Sequence, residues 1–235
     1  MDYQDKLAGL DHNYFTNKAK LSLLEMLVRK TKPTSEISIL SIGCGDGHEL
    51  EILRKYGRVD VLDVEKCAID LIPKDSYCTA YIQDLCDFHT TKKYDIIVGL
   101  DVLEHIRDDT VAIDRVHESL KEDGYFIFTV PAHQSLFSAH DKALKHFRRY
   151  SKRGLEMLVD GNFELVFLSY RYFFLFLPVA ANKLINRSSE PRIEAPKLPK
   201  LINYIMYLLC RVEVSTMALG IRLPFGISLV GICKG

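Results

Sequence analysis

The stretch Ile39-Leu-Ser-Ile-Gly-Cys-Gly-Asp-Gly47 decides how this chain folds. An apolar run breaks into three glycines at alternate positions, and an acidic residue, Asp63, follows one strand–helix unit later. Residues 37–42 read as a buried strand bounded by Pro33 and Gly43, and residues 47–56 as a helix with Leu50, Ile52 and Leu53 on one face. Glycine at a strand end lets the chain turn at positive φ and lets a ligand approach the backbone with no Cβ in the way. Asp63, about 20 residues further on, ends the strand Val59-Asp-Val-Leu-Asp63, where such folds hydrogen-bond a ribose. The pattern is that of a nucleoside cofactor on a doubly wound sheet.

Glycine spacing narrows the cofactor. A dinucleotide fingerprint reads G-x-G-x-x-G, because a pyrophosphate must rest on the helix N-terminus. Here the spacing is Gly43-x-Gly45-x-Gly47, with Asp46 inside the turn and no basic residue to meet a phosphate. That loop suits a cationic ligand. It resembles the first motif of the class I S-adenosylmethionine-dependent methyltransferases. Three further segments resemble that family in its own order: Asp63, placed for the ribose hydroxyls; Ile82-Gln-Asp84-Leu85, placed for adenine; and Tyr94-Asp-Ile-Ile-Val-Gly-Leu-Asp-Val-Leu-Glu-His105, similar to the segment found in relatives of quinone O-methyltransferases. The resemblance covers at least residues 40–166. It implies a cofactor site of Gly43, Gly45, Gly47, Asp63, Val64, Asp84, Leu85 and Asp101. One departure is Ser41, where many members carry an acid that orients the methionine end, so that end should lean on backbone groups and Asp101.

Composition agrees with a single α/β domain carrying a modest insertion. The chain has 235 residues, enough for a well-buried core, and no net charge, so nothing global points to nucleic acid. Its six cysteines show no CxxC spacing and sit mostly in apolar runs, which suits a reducing compartment. Met1-Asp-Tyr-Gln-Asp5 has neither the basic nor the apolar region of a secretory signal. The expected location is cytoplasmic, with peripheral membrane contact left open.

Strands are predicted near 37–42, 59–63, 77–82, 94–100 and 124–130, each separated by a helix or loop, as a parallel sheet with right-handed crossovers requires. A first helix is predicted over 16–30, with Leu23, Leu24, Leu27 and Val28 inward. The clearest helix spans 107–120, with Val111, Ile113, Val116 and Leu120 inward. Residues 163–168 and 227–233 would form the closing antiparallel pair. The expected fold is α/β, a doubly wound, Rossmann-like, seven-stranded and mostly parallel sheet with an antiparallel last strand. Residues 1–168 and 227–235 would form the methyltransferase domain, and 169–226 a helical insertion before the final strand.

That insertion holds the aromatic run Tyr170-Arg-Tyr-Phe-Phe-Leu-Phe-Leu-Pro178, a charged linker from Asn186 to Pro199, and the apolar segment Leu201-Ile-Asn-Tyr-Ile-Met-Tyr-Leu-Leu-Cys210. Neither apolar run reaches the roughly 18 residues a bilayer span needs. The segment reads as a cap over an apolar acceptor, a membrane-interface surface, or a helical pair packed on the core or on a second subunit. On the first two readings Phe173, Phe174 and Phe176 face the acceptor or the membrane, beside the basic residues between Lys142 and Arg153.

Methyl transfer asks the protein mainly to align acceptor, methyl carbon and sulfur, because the sulfonium already carries its leaving group. An oxygen acceptor also needs its proton removed. Asp101-x-x-Glu104-His105 is the candidate source, and the resemblance adds His146, in His146-Phe-Arg-Arg-Tyr-Ser151, as a distal histidine. Glu104, His105 and His146 are therefore the catalytic candidates. In relatives a similar set binds a divalent cation; for this chain the metal stays open. His133, His140 and Asp141 share the same post-strand segment. Lys142, Lys145, Arg148, Arg149, Lys152 and Arg153 form a basic stretch suited to an anionic acceptor or a solvated helix face. The expected function is O-methylation of a small, lipid-like or glycan acceptor by a monomer or homodimer. The alternatives are a nicotinamide-dependent oxidoreductase and a non-catalytic cofactor-binding partner protein.

Overall fold

Short apolar strands separated by amphipathic helices can bury both sheet faces only by winding helices over each side. The computed structural model describes residues 12–34, 36–185 and 198–235. Its strands are β1 (Ile37–Ile42), β2 (Gly57–Asp63), β3 (Ala80–Ile82), β4 (Tyr94–Leu100), β5 (Leu120–Pro131), β6 (Glu164–Arg171) and β7 (Ser228–Lys234). They form one sheet in the order β3-β2-β1-β4-β5-β7-β6. β1 pairs parallel with both β2 and β4, whereas β7 lies antiparallel between β5 and β6. The chain therefore leaves β1 toward β2 on one side and returns to β4 on the other. Ligands bind at the carboxyl ends of strands at such a switch point.

The helices are α1 (Phe15–Lys30), α2 (Leu50–Leu53), α3 (Lys66–Leu71), α4 (Asp109–Ser119), α5 (Ala139–Ala143), α6 (Lys152–Val159), α7 (Phe173–Ile185) and α8 (Lys200–Ala218). Alternation along each strand sorts the core into two layers. Ile39, Val61, Ile96 and Val98 pack with Leu23, Leu24 and Leu27 of α1 and with Val214 and Met217 of α8. Leu40, Ile97, Phe126 and Phe128 pack with Ala112, Ile113 and Val116 of α4 and with Leu155 and Val159 of α6. Truncating one of these fully buried side chains, such as Ile97→Ala, should cost about 2–5 kcal/mol.

Several element bounds differ from the sequence reading. The helix expected over 47–56 shrinks to α2, because turns on either side absorb the glycine loop and Gly47 N–H bonds back to the Cys44 carbonyl at 2.8 Å. The third strand is only three residues long, since Lys74–Ser76 closes a 3-10 turn that delays its entry into the sheet. Asp108 caps α4 by accepting from Val111 N–H at 3.2 Å, so Arg107 stays outside the helix, and Leu120 opens β5. β6 carries Ser169, Tyr170 and Arg171 inside the sheet, and the aromatic run beyond them folds as α7. The linker beginning at Asn186 lies largely outside the described residues. No described helix is long and apolar enough to cross a membrane.

Candidate active site

The glycine loop is built by backbone needs that only glycine meets cheaply. Gly43 has φ +59°, and a Cβ there would lie 2.5 Å from Val102 Cγ2. Positive φ costs an ordinary residue about 1–2 kcal/mol even without the clash. The loop is tied to the second strand by Asp63, whose carboxylate accepts from Gly45 N–H at 3.0 Å and from Glu65 N–H at 2.9 Å. The first and second motifs are thus one hydrogen-bonded unit.

A cavity of about 590 Å³ opens over the carboxyl ends of β1, β2 and β4. Of the residues singled out in the sequence, Gly43, Asp63, Val64, Asp84, Leu85, Asp101 and His105 line it. Gly45 and Gly47 shape the loop without lining the cavity, and Glu104 and His146 are not among its lining residues either. Asp84 caps a 3-10 turn by accepting from Cys86 N–H at 2.8 Å. Ala143, Leu144, Lys145 and Phe147 close the side facing His105.

At the end near Asp101 the structure adds a cation that the sequence reading passed over. Lys20, on α1, reaches Asp101 at 2.9 Å and also donates to the Leu100 carbonyl at 3.4 Å. Desolvation in the cleft works against ionising Asp101. The Lys20 ammonium and a hydrogen bond from Thr129 Oγ at 2.8 Å outweigh it and bring the Asp101 pKa down to about 2. Asp101 itself has φ +60°, which turns its backbone sharply at the end of β4. Ser41 Oγ donates to Glu49 Oε1 at 2.8 Å, so a carboxylate eight residues later stands beside Ser41. Desolvation pushes the Glu49 pKa up, opposed by Lys20. A lysine one turn before buried Leu23, on a helix with an apolar face, was the available sequence signal for Lys20.

The catalytic candidates converge. Glu104 is buried in a 3-10 turn, and the rings of His105 and His146 meet edge to face with centroids 4.6 Å apart. His146 Nδ1 lies 3.0 Å from Asp141 Oδ1, and Asp141 is fully buried. Arg149 Nε donates to the same oxygen at 2.8 Å, and Ser138 N–H and Oγ donate to Oδ2 at 2.8 and 3.0 Å. Burial opposes the charge on Asp141, but His146, Arg149 and Ser138 together hold its carboxyl well below the usual carboxylate range. Asp141 thereby fixes which ring nitrogen of His146 points away from it, toward His105 and Glu104. The sequence placed Asp141 in the right segment but gave no sign that it buries and orients His146.

The basic stretch divides. Arg149 is spent on Asp141 and Arg148 on Asp109 at 2.6 Å, while Lys142, Lys145, Lys152 and Arg153 stay exposed. His133, at φ +62°, stacks on Tyr170 and tilts against Phe176, so it belongs to an aromatic cluster. His140 is exposed on α5. His12 lies 3.2 Å from Asp46 of the glycine loop, with its ring 4.4 Å from that of His48.

A seven-stranded sheet with one antiparallel strand, a glycine loop at its switch point and acids at successive strand ends defines the class I methyltransferase fold. A family described as a methyltransferase domain matches residues 10–166, and the chain belongs to it as an S-adenosylmethionine-dependent methyltransferase domain. The malonyl-[acyl-carrier protein] O-methyltransferase of Calditerrivibrio nitroreducens is 26% identical over 166 residues, covering 69% of this chain and 62% of that protein. N-methyltransferase 4 of Papaver somniferum is 26% identical over 146 residues, covering 54% of this chain and 39% of that protein. The match thus spans less than two thirds of each of these relatives. Among solved structures, the N-methyltransferase NodS from Bradyrhizobium japonicum WM9, in complex with S-adenosyl-L-homocysteine, superposes with a TM-score of 0.62 at 17% identity, covering 99% of this chain and 97% of that one. Coclaurine N-methyltransferase, bound to N-methylheliamine and S-adenosylhomocysteine, superposes at 0.61 with 14% identity, covering 93% and 73%. The methyltransferase family leaves the nicotinamide alternative without support.

Proposed function

We propose that this chain moves the methyl group of S-adenosylmethionine onto an oxygen of a small or lipid-linked acceptor. The observation that carries the oxygen reading is the buried Asp141–His146 pair set against cavity-lining His105. An amine can attack as its free base, so it has less need of an oriented proton acceptor, whereas a hydroxyl must lose its proton as it attacks. The relatives include both O- and N-methyltransferases, so the distinction rests on this chain's own residues.

In this reading the acidic lining matches a cationic cofactor. Asp63 takes the ribose hydroxyls, Asp84 and Leu85 the adenine with Val64 alongside, and Gly43 lets the cofactor reach the backbone of a loop that Gly45 and Gly47 shape. Asp101 meets the methionine ammonium. The acceptor oxygen attacks the methyl carbon in line with the carbon–sulfur bond, whose electron pair returns to sulfur and leaves S-adenosylhomocysteine. The acceptor proton passes to His105. His146, locked by Asp141, and buried Glu104 hold that ring in place and offset the charge it gains.

The same three residues also fit a divalent cation. A carboxylate oxygen and two imidazole nitrogens lie within 4.8 Å of one another. Asp141 on one nitrogen of His146 leaves the other for a metal, the usual arrangement of a ligating histidine. A cation held by Glu104, His105 and His146 would supply Lewis-acid polarisation of the acceptor hydroxyl.

Radiolabelled S-adenosylmethionine, incubated with the chain and an extract of its source cells, tests the proposal. Label should enter an extractable acceptor with the wild-type chain. With His146→Ala it should fall at least a hundredfold, while S-adenosylhomocysteine affinity stays within twofold, since only the transition-state interaction is lost. Equal labelling by both would remove the histidines from the mechanism.

A further inference from the structure

The insertion turns only one side of α8 to the core. Cys210, Val214 and Met217 are buried against α1 and the sheet. On the opposite side Leu201, Ile205, Leu208, Val212 and Leu219 follow at steps of four, three, four and seven residues and therefore share one stripe. All five are exposed, Leu201 by 70%, Val212 by 63% and Leu219 by 81%. The stripe is about 27 Å long at 1.5 Å per residue and carries no charged residue. A surface that apolar marks an interaction site.

Among the described residues, the exposed charges of α8 itself are both basic. Lys200 opens the helix, and exposed Arg211 lies next to Tyr207, where Lys18 of α1 also bears on the phenol. Arg29 and Lys30 share a groove with Arg211, and its single acid, Glu25, is already paired with Arg29 at 2.7 Å. A second copy of the chain would make an isologous contact, bringing this basic rim against itself. A surface of negative sign with an apolar layer beneath it satisfies both features.

We propose that the outer face of α8 docks on an anionic phospholipid bilayer, lying in the interface with Leu201, Ile205, Leu208 and Val212 inserted and Lys18, Lys200 and Arg211 at the headgroups. The placement suits the chemistry. The N-terminus of α8 sits at the cleft end of the sheet, where Asn203 Oδ1 accepts from Phe15 N–H at 2.9 Å. The aromatic cluster of Phe173, Phe176 and Phe225 joins the insertion to His133 on the loop after β5. A lipid-borne acceptor would thus emerge beside the cavity. The docking face deepens the lipid-linked reading of the acceptor, but its test reads vesicle binding and not methyl transfer.

Co-sedimentation with vesicles of phosphatidylcholine alone, and of equal parts phosphatidylcholine and phosphatidylglycerol, reads the docking directly. The wild-type chain should bind the anionic vesicles at least tenfold more tightly than the neutral ones, and high salt should weaken that binding. Ile205→Glu/Val212→Glu alters only exposed positions and should lose at least tenfold in vesicle affinity, with S-adenosylhomocysteine affinity unchanged as the check on folding. Lys200→Glu/Arg211→Glu should abolish the preference for anionic lipid. Failure of the wild-type chain to bind anionic vesicles overturns the proposal. So does a concentration-independent dimer in solution that Ile205→Glu/Val212→Glu dissociates, because the stripe would then belong to a second copy. Either outcome leaves methyl transfer untouched.

Discussion

Replacing Asp141 with asparagine should be the most informative single change away from the cofactor. The carboxylate is fully buried and holds His146 at 3.0 Å, Arg149 at 2.8 Å and two Ser138 donors. Asparagine keeps the shape but removes the charge, and it turns an NH2 toward donors that need an acceptor. Arg149, 13% exposed, would be left without its counter-ion. Breaking a buried pair from one side costs about 3–5 kcal/mol. At roughly 2–4 °C per kcal/mol for a chain this size, even the lower figure implies a fall of about 6–12 °C in Tm at neutral pH. The folded-state pKa of Asp141 is depressed, so its contribution is fully present above the ordinary carboxylate value near 3.9 and is lost as pH falls below that value toward the folded one. Calorimetric melting of both proteins from neutral pH into acid should therefore show two curves that converge below about pH 4. Parallel curves, or a Tm within 2 °C of wild type at neutral pH, would refute the view that Asp141 is a charged anchor.

Other expectations concern the cleft. Asp63→Ala should weaken S-adenosylhomocysteine binding by calorimetry at least tenfold, since each charged hydrogen bond is worth about 1.5–3 kcal/mol; a change under twofold in a folded protein would displace Asp63 from the ribose. Gly43→Ala should destabilise through both its φ and the contact with Val102, and adding Val102→Ala should recover only part of the loss, leaving about 1–2 kcal/mol of backbone strain; full recovery in denaturant melts would show that the φ angle is unimportant. Excess EDTA leaves turnover intact if the histidines work by proton transfer alone, whereas loss of turnover restored by a divalent cation would assign Glu104, His105 and His146 to a metal.

What the sequence revealed, it revealed through local backbone demands. Three alternate glycines mark where the chain must turn, and the acids Asp63, Asp84 and Asp101 line the cavity, so the order of motifs located the cleft. Lys20 and Asp141 were harder to see because their roles come from contacts across the fold. Lys20 meets a carboxylate 81 positions away, and Asp141 acts through a buried ring and a guanidinium that read as part of a surface basic stretch. α8 was ambiguous for another reason. It is apolar on both sides, so periodicity identifies a helix without saying which face the sheet covers. Glu49 stands beside Ser41, at a position that the motif alone showed only as lacking an acid.

The structure of the complex with S-adenosylhomocysteine tests the central claim most directly. The account predicts the ribose hydroxyls within hydrogen-bond distance of Asp63, the adenine beside Asp84 and Leu85, the ammonium group at Asp101 and the sulfur facing His105. A ligand bound elsewhere, or one whose sulfur points away from His105 and His146, would contradict it.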